Sequence, residues 1–593
     1  MTLEAEAELA PLKRRGRVWS ALSRATPFSV VSLLVVFGLA FIALYPLSRV
    51  FLRLFYVDGE LDLSAFREVF EQDDLVTVLR NTAVVVVASS ILGLMVGGLL
   101  AWLNERTDAR LGIATDSLPL VPFLLPPIAG AIGWVLLLSA RSGYINSLIR
   151  WALELINVSI SSAPIAEGPF NIYSWWGLIF VYTIYQVPYA FLLVSAGLRN
   201  LDPSLEEQSR ICGYGLLQTL RKVTLPGILP SAGAAVLLMI WFGFALFSVP
   251  VILGTGADIE VLSVRIVRLL TAEFPAQTAL AVGNSIFVVL VLGTAWYFQA
   301  RLLRKGRHAT VGGKGYRATR IRLGVWRKPA RLFMFGYVFV AAVLPLIALV
   351  LVSLRGFWSS SIEWGELGFD SIHRALFDDV RTRNALLNSL RLSSVGATIG
   401  IVAAAMLALF VQRSGRGAAR LVDAAVKFPA TISTIVIAVG FTLAFTGPPF
   451  NLQGTLWILL LAYLAIYMPQ GSVAADAAAS QVGDELTDAS AICGAGGTRT
   501  FLRVSLPIML PGLVAGWALL FVRMTGDLTA SAILAGTGNN VVGFRILEVF
   551  EGGSFALLAS LALALTVVTS TVLVILLTLS RRAAAYAIES PGG

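Results

Sequence analysis

Charge is what this chain lacks most. Of its 593 residues only 13% are Asp, Glu, Lys or Arg, about half the share of a soluble globular protein. That scarcity excludes a water-soluble enzyme of this size. Cysteine is nearly absent too, with only Cys212 and Cys493, so neither a disulfide framework nor a cysteine metal spacing is available. The two histidines, His308 and His373, provide no histidine metal cluster, and no intramembrane nucleophile with a base is apparent. A G-x4-G-K-[ST] phosphate loop is missing as well, and Val311 to Tyr316 around Lys314 has the wrong glycine spacing. Hydrolysis of ATP is therefore not expected of this polypeptide.

What the chain has is apolar length. Hydrophobic residues make up 57%, and the mean hydropathy is +0.80. About twelve runs are long enough to cross a hydrocarbon core of about 30 Å. They begin near Phe28, Thr82, Leu118, Tyr173, Ala232 and Thr278, then near Leu332, Ser389, Phe428, Thr455, Leu513 and Phe555. The first run extends past Leu47 without a convincing small-residue cleavage pattern, so it reads as a retained span. An all-α integral membrane protein is expected, embedded in a lipid bilayer.

The charges that remain are sorted. Residues 301–331 carry Arg304, Lys305, Arg307, Lys314, Arg317, Arg320, Arg322, Arg327 and Lys328 and no acidic residue. Lys13, Arg14, Arg15 and Arg17 add positive charge at one end, Arg581 and Arg582 at the other. The segment after the first span is acidic, with Asp58, Glu60, Asp62, Glu68 and Glu71. The positive-inside rule then puts both termini and the basic segment in the cytoplasm. The net charge of +10 follows from this bias, and no nucleic acid partner is expected. The expected division is a tail at 1–27, one half at 28–300, a basic cytoplasmic linker at 301–331, a second half at 332–580 and a tail at 581–593.

The halves are related by an internal repeat. EQSRICGYGLLQTLRKVTLPGILP, Glu207 to Pro230, returns 281 residues later as DASAICGAGGTRTFLRVSLPIMLP, Asp488 to Pro511. An acidic residue, a glycine six positions on (Gly213, Gly494) and Val-x-Leu-Pro (Val223 to Pro226, Val504 to Pro507) recur in register. Asn81 and Asn388, Pro122 and Pro429, and Gly133 and Gly440 repeat at an offset of 307. The first half therefore holds 307 − 281 = 26 extra residues around 142–170. Within them INSLIRWALELINV has helical apolar spacing, which suits a helix on the outer membrane surface or one capping the bundle. In the repeat, a short helix is expected from Pro203 to Ile211, ended by a left-handed glycine. Leu-Pro is expected to open the next span, and each cysteine to be a small buried residue.

This pattern resembles the E-A-A-x3-G-x9-I-x-L-P loop of ABC importer permeases. Glu207, Gln208, Ser209, Gly213, Val223, Leu225 and Pro226 match it in the first half, and Asp488, Ala489, Ser490, Gly494, Val504, Leu506 and Pro507 in the second. Neither alanine pair is intact, and the second copy begins with Asp. As a single-chain tandem permease it most resembles the ferric-iron transport permeases, in a broader group associated with thiamine, phosphonate and other small solutes. The resemblance implies two homologous MetI-like permease halves whose coupling loops, 203–230 and 484–511, seat on two copies of an ABC ATPase subunit. ATP and Mg would be held by that partner, and an extracytoplasmic solute-binding protein would deliver the cargo. A secondary transporter built on the same duplication is the alternative from another class.

For the translocation path, ionisable residues at membrane depth are the first candidates. Arg523 and Asp527 are four residues apart and are expected to share a helical face and neutralise each other. Trp241 and Ala245 are expected at the equivalent places of the first half, so the pair has no mirror there. Tyr182, Tyr185 and Gln186, with Tyr467 in the second half, are candidates for a polar lining or for packing between helices. Carboxylate and phenolate oxygens suit a hard Fe(III) cation.

Overall fold

A computed structural model describes residues 27–57, 60–61, 64–112, 115, 118–155, 168–273, 277–305, 320–413, 423–536 and 538–589. Most of the N-terminal tail, the middle of the basic linker with His308, and part of the insertion therefore lie outside the described residues. The first half comprises α1 (Pro27–Phe55), α2 (Leu75–Arg106), α3 (Pro127–Leu138), α4 (Tyr144–Leu155), α5 (Trp175–Asn200), α6 (Pro203–Ile211), α7 (Leu225–Ala245), α8 (Leu262–Thr271) and α9 (Thr278–Lys305). The second comprises α10 (Arg327–Val338), α11 (Leu344–Arg355), α12 (Val380–Arg413), α13 (Thr434–Phe445), α14 (Leu456–Ala479), α15 (Asp484–Ile492), α16 (Leu506–Thr525), α17 (Val542–Glu551) and α18 (Phe555–Glu589). Among the described residues, strand is confined to a two-residue ladder of Tyr56–Val57 with Glu60–Leu61.

Each apolar run has become helix. Among the described residues, eight helices are long and apolar enough to cross a membrane, or up to ten if each of two bent pairs is one span. The bent pairs are the runs at Leu118 and Phe428. In the first, Pro126 and Pro127 interrupt the ladder, and the two pieces meet at 95°. The remaining two runs are α1 and α9, of 29 and 28 residues.

The halves exchange their first helices. α1 packs on α13 of the second half, and α11 packs on α3 of the first. Glycine makes this approach possible. A Cβ on Gly133 would lie 2.6 Å from Pro345 Cβ, and one on Gly440 would lie 2.8 Å from the Pro46 carbonyl oxygen. The repeated Gly133 and Gly440 are thus the points where each half touches the other's leading helix.

The duplication extends to single hydrogen bonds. Asn81 Nδ2 donates to the Glu260 carbonyl at 3.1 Å, and Asn388 Nδ2 to the Asn540 carbonyl at 2.9 Å. Thr82 Oγ1 accepts from Leu262 N–H, and Ser389 Oγ from Val542 N–H, both at 2.8 Å. Arg265 then holds Asp74 and Glu260, as Arg545 holds Asp379 and Glu548. Burial alone would raise the Asp379 carboxyl. Hydrogen bonds from Thr382 and Arg545, with the Arg545 charge, outweigh it and keep the group below its ordinary value.

In the insertion, Asn146 is buried and donates to the carbonyls of Ser139 and Phe170 at 2.9 and 2.7 Å, pinning α4. Leu148, Trp151 and Leu155 form an exposed apolar stripe at i, i+3 and i+7.

Candidate functional site

The repeated loops fold alike. α6 and α15 are nine-residue helices 281 positions apart, and α6 covers the residues expected from the sequence. Asp202 caps α6 by accepting from Ser204 N–H at 2.9 Å, with Pro203 in the first turn. Gly213 and Gly494 end them with φ of 87° and 77°, the left-handed conformation that glycine adopts without strain. A hydroxyl pair ties each helix to the turn that follows: Ser209 to Thr219 at 3.0 Å, and Ser490 to Thr500 at 2.9 Å.

Three expectations change here. Leu225-Pro226 and Leu506-Pro507 do not open their spans. The helix is continuous from Leu216 to Ala245, and both dipeptides follow a five-residue π-turn, Leu220–Thr224 and Phe501–Ser505. Proline lacks an N–H and clashes with the carbonyl four residues back, so the preceding turn widens. The same turn, Phe339–Val343, precedes Leu344-Pro345. Secondly, Cys212 and Cys493 are exposed, not buried, because they follow the last helical turn on its outward side. The third is the expected pairing of Arg523 with Asp527, which instead bond to Tyr189 and Tyr467.

The outward face of the loops is apolar. Ile211 and Ile492 are 85% and 87% exposed, and Leu205 and Leu486 repeat at 41% and 48%. Gln208, Asp488 and Ala489 are exposed beside them, while Ser209 is buried and Glu207 and Ser490 are half-buried. One Glu207 carboxylate oxygen is buried without a partner.

Neighbouring Glu206 does something the sequence did not signal. Its carboxylate is buried, 2.8 Å from Arg106 Nε at the end of α2, and accepts from Thr224 Oγ1 at 2.6 Å. Arg106 also donates to the carbonyls of Leu198 and Leu201 at 2.7 and 3.1 Å. One buried cluster thus joins α2, the end of α5, α6 and the start of α7. At the matching places of the second loop stand Thr487 and Ser505.

Deeper in the bundle, Arg523 and Asp527 do not pair. α16 ends at Thr525, so the four-residue spacing no longer puts both side chains on one helical face. Asp527 accepts from Tyr467 Oη at 2.6 Å and from the N–H groups of Ala530 and Ser531. Arg523 reaches the first half instead, donating to Tyr189 Oη at 3.4 Å with its guanidinium carbon 5.8 Å from the centroid of the Phe123 ring. The repeat offset of 281 makes Phe242 and Leu246, not Trp241 and Ala245, the first-half counterparts. Contacts agree: Tyr182 Oη donates to the Leu246 carbonyl, and its equivalent Tyr463 shares a hydrogen bond with Ser531 near Asp527. Tyr185 and Gln186 line a cavity of about 90 Å³ with Tyr189, Phe242 and Arg523.

The family model for the binding-protein-dependent transport system inner membrane component matches residues 10–307 and again 396–588. The chain belongs to this family. It is a multi-pass inner-membrane permease of an importer whose ATPase is a separate subunit. Three relatives are informative. A probable ABC transporter permease protein y4fN of Sinorhizobium fredii is 27% identical over 63% of this chain and 66% of its own length. The Fe(3+)-transport system permease protein FbpB 2 of Haemophilus influenzae is 22% identical over 92% of this chain and 97% of its own. The ferric transport system permease protein FbpB of Actinobacillus pleuropneumoniae is 21% identical over 88% and 74%. A solved bacterial ABC transporter involved in import of the acidic polysaccharide alginate aligns with 44% of this permease and 98% of its own chain, at 17% identity and TM-score 0.35.

Proposed function

We propose that the permease imports ferric iron delivered by an extracytoplasmic binding protein, driven by two copies of an ATPase subunit seated on α6 and α15. The observation that carries the ATPase part is the mirrored exposure of Ile211 and Ile492, 85% and 87%. Large apolar side chains at two matching polar loops are costly in water and are anchors for a partner's cleft. Ile211 and Ile492 fill that cleft in this reading, and the unpartnered Glu207 oxygen accepts from a donor at its rim. ATP and Mg reside on the ATPase. Closing of its dimer moves α6 and α15 together, and the buried Arg106–Glu206–Thr224 cluster carries the push to α2, α5 and α7. Both loops and both termini face the cytoplasm in this arrangement, as the sorted positive charge supports.

The ferric assignment rests on full-length relatives, which align over 88% and 92% of this permease. A phosphonate is the second reading, since a putative 2-aminoethylphosphonate permease of Salmonella typhi is 22% identical over 38% of it. Co-purification tests the coupling part: Glu207→Lys with Asp488→Lys abolishes recovery of the ATPase, and undiminished recovery would overturn it. Binding of ferric iron, thiamine and phosphonates to the cognate extracytoplasmic receptor tests the cargo.

A further inference from the structure

The cavity between the halves has a sign. Its walls come from the bend before α3, the middle of α5, the end of α7 and, from the second half, Arg523. Arg523 is the one ionisable wall residue apart from Tyr185 and Tyr189, and among the described residues no acidic side chain pairs with it. It occupies the repeat position of Phe242, and Tyr189 lies between the two, stacked on Phe242 at 4.2 Å and hydrogen-bonded by Arg523. The duplication would have placed a second aromatic ring here. A guanidinium stands there instead, at a depth where an unpaired cation is expensive. Beside it, Gln186 is 2% exposed, and its Nε2 donates to Ser89 Oγ at 3.1 Å. The Gln186 carbonyl oxygen is buried with no partner.

An unpaired guanidinium and an orphan acceptor on one cavity specify a ligand with an anionic oxygen and an O–H or N–H. A bare metal cation meets neither requirement. Nor, among the described residues, do three His, Cys, Asp or Glu side chains gather into a metal-sized group. We propose that this cavity is an oxyanion station on the translocation path, Arg523 holding the anionic oxygen and Gln186 accepting the hydroxyl or amine. The inference rests on the importer reading and sharpens it: iron crosses as a negatively charged complex with an oxygen ligand, or the cargo is itself an oxyanion.

The test is a titration of the purified permease–ATPase complex in nanodiscs with inorganic phosphate, citrate, ferric citrate and 2-aminoethylphosphonate, against chloride at equal ionic strength. At least one probe binds the wild type. Arg523→Gln weakens that probe about tenfold or more, the scale of a lost charge-assisted contact. Arg523→Lys retains most of the affinity, and Gln186→Leu weakens it several-fold. Preference for ferric citrate over citrate identifies an iron complex, and preference for 2-aminoethylphosphonate identifies a free oxyanion; either supports the station. Binding of no probe, or equal binding by wild type and Arg523→Gln, overturns it. If Arg523→Gln does not assemble, unchanged affinity in Gln186→Leu overturns it instead. ATPase recovery is read from the same preparation, so loss of the partner with binding intact strikes the importer reading alone.

Discussion

Arg106 Nε and Glu206 Oε2 lie 2.8 Å apart, and both side chains are 6% exposed. The pair connects the end of α2 to α6, between residues 100 positions apart in the chain. Removing one partner of a buried ion pair leaves an uncompensated charge, at a cost of about 3–5 kcal/mol. Glu206→Ala is therefore expected to lower the thermal midpoint of the detergent-solubilised permease by several degrees. Thr487 at the matching place carries no charge, so Thr487→Ala strands no ion and is expected to shift the midpoint less than Glu206→Ala does. Thermal melts of the two variants check the asymmetry between the loops.

The exposed isoleucines give a prediction that separates docking from folding. Ile211→Asp with Ile492→Asp removes two apolar anchors without touching the core, so the melting curve of the isolated permease stays in place. ATPase recovery in a pull-down falls by more than tenfold, the scale of a lost interface hot spot. A recovery equal to wild type would show that these side chains do not meet the motor.

Exchange of the first helices predicts unusual sensitivity at two glycines. Gly133→Leu and Gly440→Leu force side chains into Pro345 and Pro46, where a Cβ alone already falls within 2.8 Å of an atom. Each is expected to destabilise the bundle by about 1–3 kcal/mol. Gly98→Leu, in open space on α2, is the matched control.

Asp379 predicts an acid-side dependence. Its carboxyl is held below the ordinary value by Thr382 and Arg545 against the opposing effect of burial. A lowered folded value contributes stability that is complete above the unfolded pKa, about 3.9, and is lost as pH falls through the folded value. The difference in melting temperature between wild type and Asp379→Asn is expected to be constant above that point and to shrink below it.

Much of this architecture is legible in the sequence because it is local or repeated. The apolar runs locate the membrane helices, and Pro203 with Gly213 marks both ends of α6. What was not legible depends on distant partners or on where a helix stops. Glu206 looks like a first-turn acid favoured by the helix dipole, and only the fold brings Arg106 to it. Gly133 and Gly440 stand out as repeats, but their reason is a proline on the opposite half. Arg523 and Asp527 have the spacing of a helical pair, which fails because α16 ends between them. The cysteines read as small apolar residues, yet they follow the last turn of helices whose outward side is bare.

Those cysteines supply the decisive measurement. Cys212 and Cys493 are the only two in the chain, both are exposed, and they directly follow α6 and α15. Membrane-impermeant maleimide can be applied to right-side-out and inside-out vesicles, with and without bound ATPase, and no engineered residue is needed. The account predicts labelling only in inside-out vesicles and protection of both cysteines when the ATPase is bound. Labelling from the outer face, or labelling that the ATPase leaves unchanged, would contradict it.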